Sequence, residues 1–265
     1  MVRHIFIELR AIILMQFKNW IRRKAGVIAM FVADPIWFLL FATPIILFGG
    51  DLHYTLNFTL WGWFLFSMVS SGLWGVAGNM RMEVLEGTYE VMMLTNVNRL
   101  ILFVGHTLRL YMSDFVSLLV MAALVRYGFG VTVEIRDPAL LAAILIIGII
   151  AVHSFSMIYA SLSHIFRASM VLVNLFQFII PLATGMFIPL QSMPEWLRLA
   201  MMVLPFTYMS DLVRHATMGT PTVLYPSVEF VLFIVATAAQ VLVATVLQIH
   251  LEKVSKRKGL LVRSW

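Results

Sequence analysis

Long apolar runs separated by short polar stretches dominate this chain. Six runs, at about 27–49, 58–80, 100–125, 139–163, 168–190 and 228–250, each approach the roughly 20 residues that a helix needs to cross a bilayer. Short polar connections fall near 50–57, 81–99, 128–138 and 164–167, and one longer segment occupies 191–227. Ahead of the first run the pattern changes. Over residues 3–24, Ile5, Phe6, Leu9, Ile13, Phe17 and Trp20 gather on one side of a helical wheel, and Arg3, Arg10, Lys18 and Arg22 oppose them. That arrangement predicts an amphipathic helix in the membrane interface. A secretory leader would place a short charged head before its apolar core, whereas here the core follows Arg22, Arg23 and Lys24, so the segment is expected to be retained.

The predicted fold class is therefore all-α, a polytopic membrane protein with six transmembrane helices. A single membrane domain is expected over 1–265, with the amphipathic helix at 3–24, the six-helix body at 27–250 and a basic tail at 251–265.

Composition agrees. The chain is 61% hydrophobic and 12% charged, where soluble domains run near 45–50% and about a quarter, so lipid must solvate much of the surface. The formal net charge of +6 is not read as a nucleic-acid surface, because the basic residues sit in short clusters beside apolar runs. Absence of cysteine excludes structural disulfides, thiol nucleophiles and iron–sulfur ligation.

Charge also orients the chain. Counted on alternate sides, fourteen Lys and Arg fall with the N-terminal segment, loop 81–99, Arg167 and the tail, against Arg126, Arg136, Arg198 and Arg214 on the other side. The positive-inside rule then puts both termini in the cytoplasm of a multi-pass protein of the cell membrane.

Two polar segments carry more information than a connection requires. In loop 81–99, Glu83, Glu86 and Glu90 recur at helical spacing against Leu85, Tyr89, Met92 and Met93. An acidic face on the cytoplasmic side is repelled by anionic lipid and suits a protein partner with a basic groove. Segment 191–227 is predicted to lie outside, yet is too apolar for a free loop. Ser192, Pro194 and Glu195 form a helix start, Trp196, Leu197, Leu199, Ala200 and Val203 an apolar face, and Pro205 a break before a second short helix. Two half-helices dipping into the outer leaflet are expected, with Asp211 and Arg214 spaced to pair; a helix pair lying flat on the surface is the other option.

These segments also carry a resemblance. Glu86-Gly87-Thr88-Tyr89-Glu90, followed by Leu94-Thr95, Arg99 and Gly105, is similar to the cytoplasmic coupling-helix signature of type-2 permeases of ATP-binding-cassette exporters. Met193-Pro194-Glu195-Trp196-Leu197, then Leu204-Pro205-Phe206-Thr207-Tyr208, Asp211, Arg214 and Gly219, resembles that family's segment before its last span. Tyr89 and Asn96 depart from the usual Leu and Pro. The resemblance implies that Glu83, Glu86, Gly87, Thr88, Tyr89 and Glu90 contact an ATPase subunit. It also implies that Pro194, Trp196, Pro205, Tyr208, Asp211 and Arg214 form an extracellular gate. It further implies a dimer with a second permease subunit, most simply a homodimer, docked on two copies of a cytoplasmic ATP-binding subunit. No Gly-x-x-x-x-Gly-Lys-Ser/Thr loop occurs here, so ATP and Mg belong to that partner and no cofactor is expected on this chain.

Polar residues inside the runs are expected to face protein or water. Asp34, Arg109, Asp114, His153, Asn174 and Gln177 are the candidates to line a pathway or lock helices together. Arg109 and Asp114 are expected to satisfy one another, and His153, with no acid or second His at i+3 or i+4, reads as a packing residue rather than a metal ligand. The functional expectation is outward movement of an amphipathic drug, lipid or lipid-linked glycan. The alternative is an ion- or proton-coupled transporter acting alone through Asp34, Asp114 and Arg109, but no internal duplication supports it. No nucleophile, base or metal set suggests an enzyme.

Overall fold

In the computed structural model of the chain, the described residues are Arg10, Leu14, Met15, Phe17, Lys18, Arg22 and residues 24–48, 51–78, 99–166 and 169–258. Among these the structure is helical and contains no strand. Helix α1 is Lys24–Phe48 and α2 is Leu52–Leu73, continued by a π-helical turn at Trp74–Gly78. Helix α3 is Arg99–Ala123, continued by a second π turn at Leu124–Gly128, and α4 is Pro138–Phe166. Then come α5, Ser169–Ala183, a 3-10 turn at Leu190–Ser192, α6, Glu195–Met201, α7, Pro205–Met218, and α8, Pro226–Lys258.

A helix therefore lies in each of the six apolar runs. Three stretches, Thr107–Gly128, Pro138–Leu162 and Pro226–His250, are long and apolar enough to cross a membrane, and Val32–Pro44 and Val171–Ala183 form shorter apolar helices. Val32, Ile36, Leu40, Val171, Leu175, Leu242 and Val246 are among many large apolar side chains turned outward. Water solvates such a continuous surface poorly, and lipid does so well.

Two boundaries differ from the sequence expectation. The second run starts earlier, because Asp51 caps α2 with its Oδ1 accepting from the His53 N–H at 3.0 Å. Every residue from 55 to 66 is buried, and α2 packs against α1, α3, α4, α5 and α7. It is the central post of the bundle rather than a helix with a lipid face. Close approach is written into it: a Cβ on Gly62 would collide with the Met186 carbonyl oxygen.

The fifth run does not continue as one helix to 190. Helix α5 contains Pro181 and ends at Ala183, and the chain turns at Gly185, whose φ of 86° is left-handed. Among the described residues α5 spans 15 residues, with its start bordering residues outside them.

Three connections expected on one side of the membrane do meet at one end of the bundle. His53 Nε2 lies 3.1 Å from Thr132 Oγ1, and Asn57 Nδ2 donates to the Thr132 carbonyl at 3.0 Å. The Arg136 and Asp137 N–H groups donate to the Ala216 carbonyl at the end of α7, at 3.0 and 2.8 Å.

Candidate functional site

Of the predicted site residues, Glu83, Glu86, Gly87, Thr88, Tyr89 and Glu90 lie outside the described residues, as does most of the expected amphipathic helix. The hairpin at 191–227 and the polar residues within the helices are described.

The hairpin has the two-helix form expected, but its halves are unlike. Pro194 precedes α6, and Pro205 opens α7 at its first helical position, where its missing N–H is not needed. All of α7 except His215 is buried, packed against α2, α4 and α8. In α6 the apolar face turns outward instead: Trp196 is 73% exposed and Val203, just beyond the helix, 79%. The first half thus leaves its apolar face uncovered by protein, while the second is part of the protein core. Gly219, with φ 69°, stops α7 in the left-handed conformation a β-carbon disfavours.

Asp211 and Arg214 are both buried, at 2% and 4% exposure, but each has its own anchors. Arg214 donates to the Met186 carbonyl at 2.8 Å and lies over the Phe58 ring, 3.8 Å from its centroid. Burial pulls its guanidinium down to about 10, so it stays charged near neutrality. Asp211 accepts from the Val223 N–H at 2.7 Å. Burial pushes its carboxyl up, and the Val223 bond and the charge of Arg214 pull it back. The spacing therefore brings the two within electrostatic range, while their hydrogen bonds fasten α7 to different segments. Tyr208, 7% exposed, packs in the same buried helix.

Inside the bundle, Gln177 acts as a helix lock. Its Oε1 accepts from Ser70 Oγ at 3.0 Å and Trp74 Nε1 at 2.8 Å, and its Nε2 donates to Asn174 Oδ1 at 3.0 Å. One amide thus ties α5 to the lower part of α2. Asp114 reaches across helices too, with Oδ1 accepting from Ser71 Oγ at 3.0 Å. Asp34 is near enough to act on it electrostatically. Arg109 is half-buried on the same helix. His153 Nδ1 stands 3.3 Å from Thr107 Oγ1, on the wall of an apolar cavity of about 310 Å³ between α3, α4 and α8.

Sequence reasoning missed three buried polar residues with cross-helix roles. Glu229, 1% exposed in the first turn of α8, accepts from the Leu224 N–H at 3.4 Å and hydrogen-bonds with Asp211. Gln240 Nε2 donates to the Ala151 carbonyl and Ser154 Oγ at 2.6 and 2.9 Å. Asn57 Oδ1 accepts from the Glu134 N–H at 2.9 Å. Glu229 and Gln240 are lone polar residues in an apolar run, the same signal that singled out Asp34 and Gln177, whereas Asn57 lies in the polar connection at 50–57 and carried no such signal.

The described residues thus comprise a buried central helix, a hairpin with one buried half and polar locks between helices. Residues 7–218 match a protein-family model described as ABC-2 type transporter, ending on the last residue of α7. No curated protein matches the chain.

Proposed function

This chain belongs to the ABC-2 type transporter family, and from that membership we propose that it is the membrane-spanning subunit of an exporter driven by ATP hydrolysed on a separate polypeptide. Membership makes the chain a transport permease of an ATP-binding-cassette system; direction, cargo and stoichiometry are the proposal's own. The observation that carries it is the family match over residues 7–218, most of the chain.

In the proposed assembly six helices cross the cell membrane with both termini inside, two permease copies pair, and two ATP-binding subunits dock beneath. Glu83, Glu86 and Glu90 supply an acidic helix that fits a basic groove on the ATPase. ATP and Mg are held there, and their binding closes the two ATPase subunits. That motion rocks the permease helices, and the hairpin of Pro194, Trp196, Pro205, Tyr208, Asp211 and Arg214 gates the outer exit. An apolar surface and an outward Trp196 suit a cargo that partitions into the bilayer, an amphipathic drug or lipid, with a lipid-linked glycan as the polymeric variant.

The test is reconstitution in nanodiscs with a phosphate-loop ATPase that co-purifies with the chain, scanning ATPase stimulation across lipids and drugs. Replacing both Glu86 and Glu90 by Lys is expected to abolish co-purification or cargo-stimulated ATPase. Transport that proceeds without a nucleotide-hydrolysing companion would overturn the reading.

A further inference from the structure

We propose that Asp34 of α1 and Asp114 of α3 form a buried site for one compact monovalent cation, H⁺ or Na⁺, inside the membrane domain. Asp114 is 7% exposed. Its Oδ1 takes the Ser71 hydroxyl, while its Oδ2 is enclosed and has no hydrogen-bond partner. Ser67 also stands against this carboxyl, but its hydroxyl hydrogen is committed to the Phe64 carbonyl at 2.9 Å. One turn before Asp114 on the same stripe, Tyr111 is 3% exposed and its hydroxyl has no partner. That hydroxyl sits so close to α2 that a Cβ on Gly72, next to Ser71, would come within 2.9 Å of it. One turn after Asp114, Ser117 is buried and faces Asp34.

Three helices thus bring two carboxyls and several hydroxyl oxygens together, with buried oxygen atoms left over. The groups acting on Asp114 are Asp34 from α1 and the serines from α2, with Tyr111 on its own helix. The π turns packed on α3 carry Arg126 and Tyr127, both exposed at its far end, and His153 of α4 engages Thr107 two turns away. A buried carboxylate within electrostatic range of a second, half-buried one is repelled by it, and a bound cation is what neutralises the pair. An all-oxygen set suits a proton or alkali ion rather than a soft metal. At 1.5 Å per residue, Asp34 lies about 15 Å from the start of α1 and Asp114 about 22 Å from the start of α3, deep in a hydrocarbon layer of about 30 Å.

The experiment treats the full chain in nanodiscs with dicyclohexylcarbodiimide, a lipid-soluble reagent that modifies protonated carboxyls, and maps adducts by mass spectrometry. Modification of Asp114 or Asp34 in sodium-free buffer is expected. Loss of the adduct with rising pH, indifferent to sodium, identifies a proton site; protection by NaCl but not choline chloride at constant pH identifies a sodium site. Asp34→Asn is expected to shift the pH or sodium concentration that halves Asp114 modification by about tenfold or more, as a close carboxylate neighbour does. Asp114→Asn, read at Asp34, is the reciprocal variant should the first fail to fold. No adduct at either carboxyl, or modification insensitive to pH, sodium and the neighbour's removal, overturns the proposal.

Discussion

The guanidinium of Arg214 lies over the ring of Phe58, 3.8 Å from its centroid, and the same side chain donates to the carbonyl of Met186 at 2.8 Å. A single cation thereby joins the buried half of the hairpin to the central helix and to the turn that follows α5. Removing it leaves a buried carbonyl without its donor and an aromatic face without its cation. Arg214→Ala is expected to lower stability by about 2–4 kcal/mol, combining a lost cation–π contact with an orphaned acceptor. Arg214→Lys should recover part of that, since charge is kept but the planar fork is not. Thermal unfolding in detergent compares the two; equal losses would contradict the geometry.

Glycines on α2 should rank by what their new methyl meets. At Gly62 the obstacle is the Met186 carbonyl, a backbone atom, whereas at Gly72 it is the side chains of Val152, Ser156 and Tyr111. Side chains can turn aside and backbone cannot, so Gly62→Ala should destabilise by more than the about 1–3 kcal/mol usual for overpacking and Gly72→Ala by less than Gly62→Ala. Melting temperatures of the two single variants check the order.

Gln177→Leu removes one acceptor shared by two donors, Ser70 and Trp74. Interhelical hydrogen bonds in membranes average about 0.6 kcal/mol with a maximum near 1.7, so a loss of about 1–2 kcal/mol is expected. Trp74 offers a local readout: in a Trp74→Phe background the emission change caused by Gln177→Leu should largely vanish.

Because the chain contains no cysteine, sidedness can be read without a background. His53→Cys and Thr132→Cys occupy positions whose side chains meet at 3.1 Å, so both are expected to react with an impermeant thiol reagent from outside. Lys18→Cys should react only after permeabilisation. Labelling of positions 53 and 132 from opposite sides would break the arrangement of connections described above.

Run lengths and prolines let the sequence alone determine that this is a helical membrane protein, roughly where its helices lie and where the hairpin at 191–227 bends. Pro205 opening α7 and Gly219 closing it are local effects, since each residue restricts its own backbone. Which helix stands in the middle was decided by tertiary structure. Lipid and protein interior are both apolar, so a run such as 58–80 reads the same whether it faces hydrocarbon or, like α2, is enclosed by five neighbours. The partners of buried polar residues were decided in the same way. Spacing put Asp211 beside Arg214 on one helix, but Val223, Met186 and Phe58, brought in from other segments, hold them. A hydrogen bond between distant segments depends on three-dimensional approach, and no period along one helix encodes it.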